Sequence, residues 1–154
     1  MRLPRGSGIV FRHYHLGDAA RKRRFETIKM LARRHGHRVF LAGTPALARH
    51  WRAEGVYGCF GRRSEIGALL HGAPVHNARE IQKANRAGAD IFFLSPIFAT
   101  RSHPGQPPMN PVQVRRLSAL CNGAVIGLGG MNQHRYRFHK NRLTHGWAAI
   151  DAFS

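Results

Sequence analysis

The stretch VHNAREIQKANRAGADIFFLSP, Val75 to Pro96, decides how the rest of the chain is read. It closes one short apolar run, opens and ends a helix, and enters a second apolar run. Asn77 suits a helix N-cap, because its side-chain oxygen can accept from first-turn N–H groups that have no intrahelical partner. Ala78, Ile81 and Ala84 follow at helical spacing and predict one inward face. Ala87-Gly88-Ala89 ends the helix, and Ile91 to Leu94 is a short, wholly apolar strand. Strand, crossover helix and strand make a βαβ unit, whose two strands run parallel.

The same alternation continues outward. Towards the N-terminus, Gly8 to Phe11 and Val39 to Leu41 read as strands, with a helix between them opened by Asp18 and carrying Phe25, Ile28 and Leu31 inward. Gly36 suits the residue just past that helix. Thr44-Pro45 is a cap with proline at the first helical position and predicts a helix through Trp51. Val56 to Phe60 is a weaker strand, Ser64 opens a short helix through Leu70, and Pro74-Val75-His76 is a very short strand. Towards the C-terminus lie a loop rich in proline and glycine from Ser95 to Asn110, a helix from Pro111 to Leu120 and a strand from Ala124 to Leu128. A polar helix from Asn132 to Leu143 and a strand from Trp147 to Ile150 complete the chain.

This predicts an α/β fold with a parallel sheet. Periodicity does not choose between a barrel and an open doubly wound sheet. A complete eight-unit barrel runs to about 250 residues, and this chain has 154, so a barrel reading requires a shortened one. With no linker to divide it, residues 1–154 are expected to form a single domain.

The composition is 43% hydrophobic, ordinary for a folded domain, but 25 Lys+Arg stand against 7 Asp+Glu, a formal charge of +18. Such a balance favours acidic partners such as phosphorylated metabolites or nucleic acid. The basic residues are scattered, however, and no nucleic-acid-binding motif accompanies them, so nucleic acid is not the expected partner. No apolar run is long enough to span a membrane, and Met1-Arg-Leu-Pro-Arg-Gly6 has no apolar signal core, so the expected location is the cytoplasm. Cys59 and Cys121 fit no zinc spacing, and the histidines form no ligand set with Cys or carboxylates, so no metal site is expected.

Three places carry chemistry. Gly129-Gly130 closes a strand before a helix, where backbone N–H groups can approach an anion; a plain tight turn is the other reading. Thr100, Arg101, Ser102 and His103 sit in the long loop after the strand Ile91 to Leu94, and could hold a phosphate or carboxylate. His76 falls at a strand end, where it can serve as acid or base, or simply cap the next helix.

In order and at these gaps, Val75-His76-Asn77-x-x-Glu80, Ala87-Gly-Ala-Asp90, Ser95-Pro-Ile-Phe-x-Thr100-x-Ser102-x-Pro104-Gly105 and Gly127-Leu-Gly-Gly130-Met131 resemble the thiamine phosphate synthase/TenI family, best from residue 74 to 131. Gly8-Ile-Val-Phe-Arg12 is similar to the family's second strand, Gly55-Val56-Tyr57 to its fourth and Gly146-Trp-Ala-Ala-Ile150 to its eighth. The resemblance implies a TIM-type (β/α) barrel, shortened, with the first strand missing and the site at the strands' C-terminal face. A partner or a second copy would then cover the open edge. Synthase members of the family join a thiazole phosphate to a pyrimidine diphosphate with Mg²⁺; TenI members isomerise a thiazole carboxylate phosphate with a histidine.

Carried over position by position, the resemblance makes His76 catalytic and makes Arg12, Thr100, Ser102, His103, Gly129 and Gly130 substrate-binding. It also exposes departures. Where synthases have an Asn-Asp pair for pyrophosphate and Mg²⁺, this chain has Ala42-Gly43, and Gly61-Arg62 replaces a second carboxylate. Tyr14 replaces a basic residue, Val10 a glutamine, His103 a lysine and Asp151 a phosphate-binding serine. What remains implies a thiazole-phosphate-binding protein that works without a cofactor, as a tautomerase-like isomerase. Mg²⁺ would enter only for a synthase; an inactive metabolite sensor or partner subunit is one alternative, and a basic nucleic-acid-binding protein is the other.

Overall fold

The computed structural model describes residues 3–58, 61–100, 107–139 and 144–150. The chain divides into two compact units, Met1–Gly72 and Ala73–Ser154.

The first unit holds β1 (Gly8–Phe11), α1 (Asp18–Arg34), β2 (Arg38–Ala42), α2 (Pro45–His50), β3 (Gly55–Tyr57), α3 (Arg63–Ile66) and the start of β4 (Leu70–Val75). Its strands pair in parallel, with Val10 opposite Phe40, Leu41 opposite Val56 and Val56 opposite His71. Val39, Leu41 and Val56 are fully buried between sheet and helices. Phe25 of α1 packs edge-on against Phe11, ring centroids 5.3 Å apart, and lies 5.3 Å from Trp51. Burying such a ring contributes about 1.5–3 kcal/mol.

The second unit holds the end of β4, α4 (Ala78–Arg86), β5 (Ile91–Leu94), α5 (Pro111–Ala119), β6 (Ala124–Gly127), α6 (Gln133–His139) and β7 (Gly146–Trp147). Phe93 lies opposite Ile126, and Gly127 opposite Trp147, again in parallel. The Ser95 N–H donates to the Val75 carbonyl at 3.1 Å, tying the end of β5 to β4. The core is built from Val75, Ile81, Ala84, Phe92, Leu94, Val114 and Val125.

Within each unit every strand lies beside the one that precedes it in the chain. That is the order of a TIM-type (β/α) barrel; a doubly wound sheet reverses direction at a switch point. The fold is therefore the shortened TIM-type class that the sequence implied, and strand C-terminal ends are where such folds carry sites.

Some local expectations are corrected. Asp18 is the first residue of α1 rather than its cap; Gly17 takes the cap position with no side-chain bond. Leu31 is 47% exposed and Ala32 is buried in its place. At about 100° per residue, a step of seven from Phe25 returns to the same face and a step of six does not. The helix from Ser64 is shorter than expected, because Leu70 already begins β4. That strand has six residues, not three, and His76 lies just past it. Ala78 is exposed while Ile81 and Ala84 are buried. β7 is confined to Gly146–Trp147. The expected ends at Phe60 and Leu143 fall outside the described residues.

Candidate functional site

His76 follows β4 directly, and Asn77 caps α4 by accepting from the Glu80 N–H at 3.0 Å. Because α4 starts there, Glu80 stands one helical turn along and reaches back. Its Oε2 accepts from the His76 backbone N–H at 2.7 Å and from His76 Nδ1 at 2.9 Å, and its Oε1 accepts from Asn77 Nδ2 at 2.9 Å. Burial alone would push the Glu80 carboxyl up, but the His76 ring and backbone bonds, the His76 charge and the Asn77 amide together hold it below the usual carboxylate range. An ionised carboxylate only accepts. Nδ1 therefore carries the proton, and the neutral ring has its lone pair on Nε2, the nitrogen not engaged by Glu80.

His76 and Asn77 also line a cleft of about 600 Å³ with Pro96, Met109, Gln113 and Arg116, a size that suits a small molecule. Pro96 is shared with the next feature. Gly129 and Gly130 follow β6 with φ of 89° and 58°. A Cβ on Gly129 would lie 2.9 Å from Pro96 Cα, and one on Gly130 would lie 2.5 Å from the Ala99 oxygen. Close packing on the loop after β5 thus requires glycine at both positions. Ile97 and Phe98 donate their N–H groups to the carbonyls of Leu128 and Gly129, at 2.9 and 3.0 Å. The Gly129 and Gly130 N–H groups make no hydrogen bond among the described residues. Arg135 of α6 donates to the Gly130 carbonyl and lies 4.8 Å from the Phe98 ring centroid. Thr100, half-buried, is the last described residue of that loop; Ser102, His103 and Arg101 lie outside the described residues, as does Asp151.

Arg12 belongs to the first unit, at the end of β1, with its guanidinium 5.6 Å from the Tyr14 ring centroid. At the same Tyr14 ring stands Arg21, one of the scattered basic residues. Arg21 of α1 is only 9% exposed. Its Nη2 donates to the Ala42 carbonyl at the end of β2, at 2.7 Å, while its buried Nε has no acceptor among the described residues. The guanidinium carbon lies 5.2 Å from the Tyr14 ring, 5.6 Å from Trp51 and 6.0 Å from Phe11. His13 stacks on Phe11 at 4.4 Å and is held in the left-handed region at φ 29°. Its burial, with His15, Arg24 and Arg21 nearby, pushes the imidazole below its ordinary pKa. At the end of β3, burial pushes the Tyr57 phenol up, with Arg12 opposing. The ends of β1, β2 and β3 therefore form a cationic, aromatic surface.

Fold and strand ends define a TIM-type α/β protein with polar groups gathered at strand C-terminal ends. The sequence pattern of the thiamine monophosphate synthase family matches residues 5–153, and the chain belongs to that family. A Chloroflexus aurantiacus thiamine-phosphate synthase is 35% identical over 72 residues, 46% of this chain and 33% of that protein. A Caldicellulosiruptor saccharolyticus thiamine-phosphate synthase is 25% identical over 143 residues, 85% of this chain and 64% of that protein. Among solved structures, thiamine phosphate pyrophosphorylase from Pyrococcus furiosus superposes with a TM-score of 0.74 at 19% identity, covering 94% of this chain and 72% of that one. The chain spans 28% to 64% of the length of the four curated relatives it matches. No helix among the described residues is long and apolar enough to cross a membrane.

The Mg²⁺ that the family's synthases use needs oxygen ligands, chiefly carboxylates beside substrate phosphates. At the end of β2 stand Ala42-Gly43, and after β3 Gly61-Arg62. Among the described residues no three His, Cys, Asp or Glu side chains are grouped to hold a metal. The side chains at these strand ends do not fit a divalent cation.

Sequence reading missed Arg21, Arg116, Arg135 and the role of Glu80. Glu80 had a signal, four residues after His76 in a capped helix. The arginines had none, since each is one of many.

Proposed function

We propose that this family member binds a thiazole phosphate and, without metal, shifts a proton on its carboxylated form, with His76 as the acid and base. The observation that carries this reading is the His76–Glu80 pair at the end of β4. Nε2 takes a proton from one carbon of the bound ring and becomes an imidazolium beside the Glu80 carboxylate; it returns the proton at another carbon. Atoms balance, and no metal or co-reactant enters. Glu80 is a positioning residue: it fixes the tautomer and the orientation of the ring. The N–H groups of Gly129 and Gly130, with Arg135 beside them, suit the phosphate. Thr100, Ser102 and His103 of the loop after β5 suit the rest of the ligand.

The test is proton exchange on the thiazole carboxylate phosphate, followed by NMR with chelator present. His76→Ala is expected to slow it by about 10²–10⁴ with phosphate affinity retained. An unchanged rate in His76→Ala defeats the acid–base role. Turnover only with Mg²⁺ and a pyrimidine diphosphate points to synthase chemistry instead.

A further inference from the structure

We infer that the outer face of α1 is a docking surface for an acidic, amphipathic helix of a partner protein, with Met30 and Leu31 as its apolar centre and Arg23, Arg24 and Arg34 as its charged rim. The inference uses one helix of Met1–Gly72 and does not depend on the role given to His76.

A helix that buries one face ordinarily turns polar side chains outward on the other. In α1 the buried face carries Phe25 and Ala32. Yet Met30 is 56% exposed and Leu31 47% exposed. At about 100° per residue, Arg23, Met30 and Arg34 fall within about 40° of one another, on the crest opposite Phe25. Thr27 and Leu31 lie beside that crest, and Arg24 at its margin. The Thr27 hydroxyl donates to the Arg23 carbonyl at 3.1 Å. It is therefore used within the helix, and the Thr27 methyl group extends the apolar patch. Residues three and four apart are neighbours on a helix surface, so Thr27, Met30 and Leu31 are contiguous.

The cations of α1 divide into two sets. Lys29 and Arg33, on one flank, are engaged within the unit. Lys29 Nζ donates to the carbonyls of Trp51 and Arg52 at 2.8 and 3.3 Å, and Arg33 pairs with Glu54 at 3.2 Å. Glu26 lies on that same flank, near Lys29. Arg23, Arg24 and Arg34 are exposed and make no ion pair among the described residues. An apolar centre rimmed by arginine has the anatomy of a protein interface. The chemistry of the occupant follows by elimination. A second copy would set the same cations against each other. A membrane would have to take Met30 and Leu31 below its headgroups, and Arg23 and Arg34, on the same crest, would be carried in with them. A nucleic-acid backbone satisfies the arginines but leaves Met30 and Leu31 against phosphates. A helix with acidic side chains on both sides of an apolar stripe meets both needs. Its carboxylates accept from the guanidinium forks, and its apolar side chains take Met30 and Leu31 out of water.

The test titrates a fluorescently labelled helical peptide, with leucines along one stripe and glutamates on both sides of it, with the full chain and follows anisotropy. Binding is expected, and it should weaken as salt rises. The double variant Met30→Ser, Leu31→Ser should weaken it about tenfold, because both side chains anchor the centre of the interface. Arg23→Gln and Arg34→Gln should each weaken it about two- to fivefold. Arg115→Gln removes the same charge from an exposed position on α5 and should change nothing, which separates a built surface from attraction to the +18 chain. Should the double variant fail to fold by circular dichroism, Arg34→Gln against Arg115→Gln decides. Absence of peptide binding, an unchanged affinity in the folded double variant, or equal losses in Arg34→Gln and Arg115→Gln would overturn the inference. So would tighter binding to phosphatidylserine-containing vesicles that the double variant loses, which would make the face a membrane surface. Tighter binding of duplex RNA that Arg34→Gln weakens and the double variant keeps would overturn it in favour of nucleic acid. His76→Ala should leave the peptide titration unchanged, so the two readings fail separately.

Discussion

The two units finish their strands differently. In Ala73–Ser154 the strand ends carry an imidazole–carboxylate pair and two glycines whose N–H groups make no hydrogen bond among the described residues. In Met1–Gly72 they carry cations and aromatic rings, with Ala42 and Gly43 closing β2. One set of ends bears a histidine paired with a carboxylate, the other bears guanidinium groups beside aromatic rings. A shared fold therefore does not imply a shared use of its strand ends; the side chains planted there decide it.

The largest effects test whether the two cores are comparable. Phe25 and Phe92 are both fully buried. Phe25→Ala and Phe92→Ala should each cost about 3–5 kcal/mol, because the removed ring leaves a cavity that tight packing fills only in part. Urea unfolding measures both. A cost below about 1 kcal/mol in either would mean that one core is loosely packed, and the comparison of its strand ends would lose its footing.

Glycines give the next contrast. Gly36 and Gly130 both have positive φ, 69° and 58°. Nothing lies within 4 Å of a Cβ placed on Gly36, whereas one on Gly130 would strike the Ala99 oxygen and Phe98 Cβ, at 2.5 and 2.8 Å. Gly36→Ala should cost the backbone strain alone, about 1–2 kcal/mol. Gly130→Ala should add about 1–3 kcal/mol of overpacking. Equal losses by thermal or urea unfolding would show that the loop after β5 yields, and that Gly130 is not fixed by packing.

How much of this was legible in the sequence also differs between the units. Thr44 with Pro45, Asn77 with Glu80, and Asn110 with Gln113 are caps closed within three residues, so chain-local chemistry announces them. The Gly129-Gly130 turn and the strand Ile91 to Leu94 are equally local. β4 was misread because Leu70-His-Gly-Ala73 has no period of its own; pairing of Gly55 with Leu70 and of Val56 with His71 makes it a strand. Arg21 was illegible for a similar reason. It lies 21 positions from the carbonyl it binds and is one of 25 basic residues. Only the turn of α1 that also buries Phe25 shows that it points inward. His76, by contrast, could be singled out by its place at a strand end, although its partner is visible only once the α4 cap is built.

The smallest effect concerns that partner. The Glu80 carboxyl is held below its ordinary value, 4.5, in the folded chain. Above that value both folded and unfolded forms are ionised, and the bonds from His76 and Asn77 contribute fully to stability. As pH falls below about 4.5, the unfolded chain binds the proton first, so the contribution is lost progressively through the folded pKa. Glu80→Gln has no such proton to bind. The stability gap between wild type and Glu80→Gln should therefore be flat from pH 6 to 8 and shrink as pH drops under 4.5, measured by urea midpoints at each pH. Both side chains of the pair are about a third exposed, at 35% each, so solvent screening keeps the gap modest. His76→Ala should flatten the same profile, because the ring bond and its charge are among the causes of the depression. If wild type and Glu80→Gln keep a constant gap down to pH 3, the carboxylate gains nothing from His76. The pair that carries the proton-transfer reading would then be a helix cap and no more.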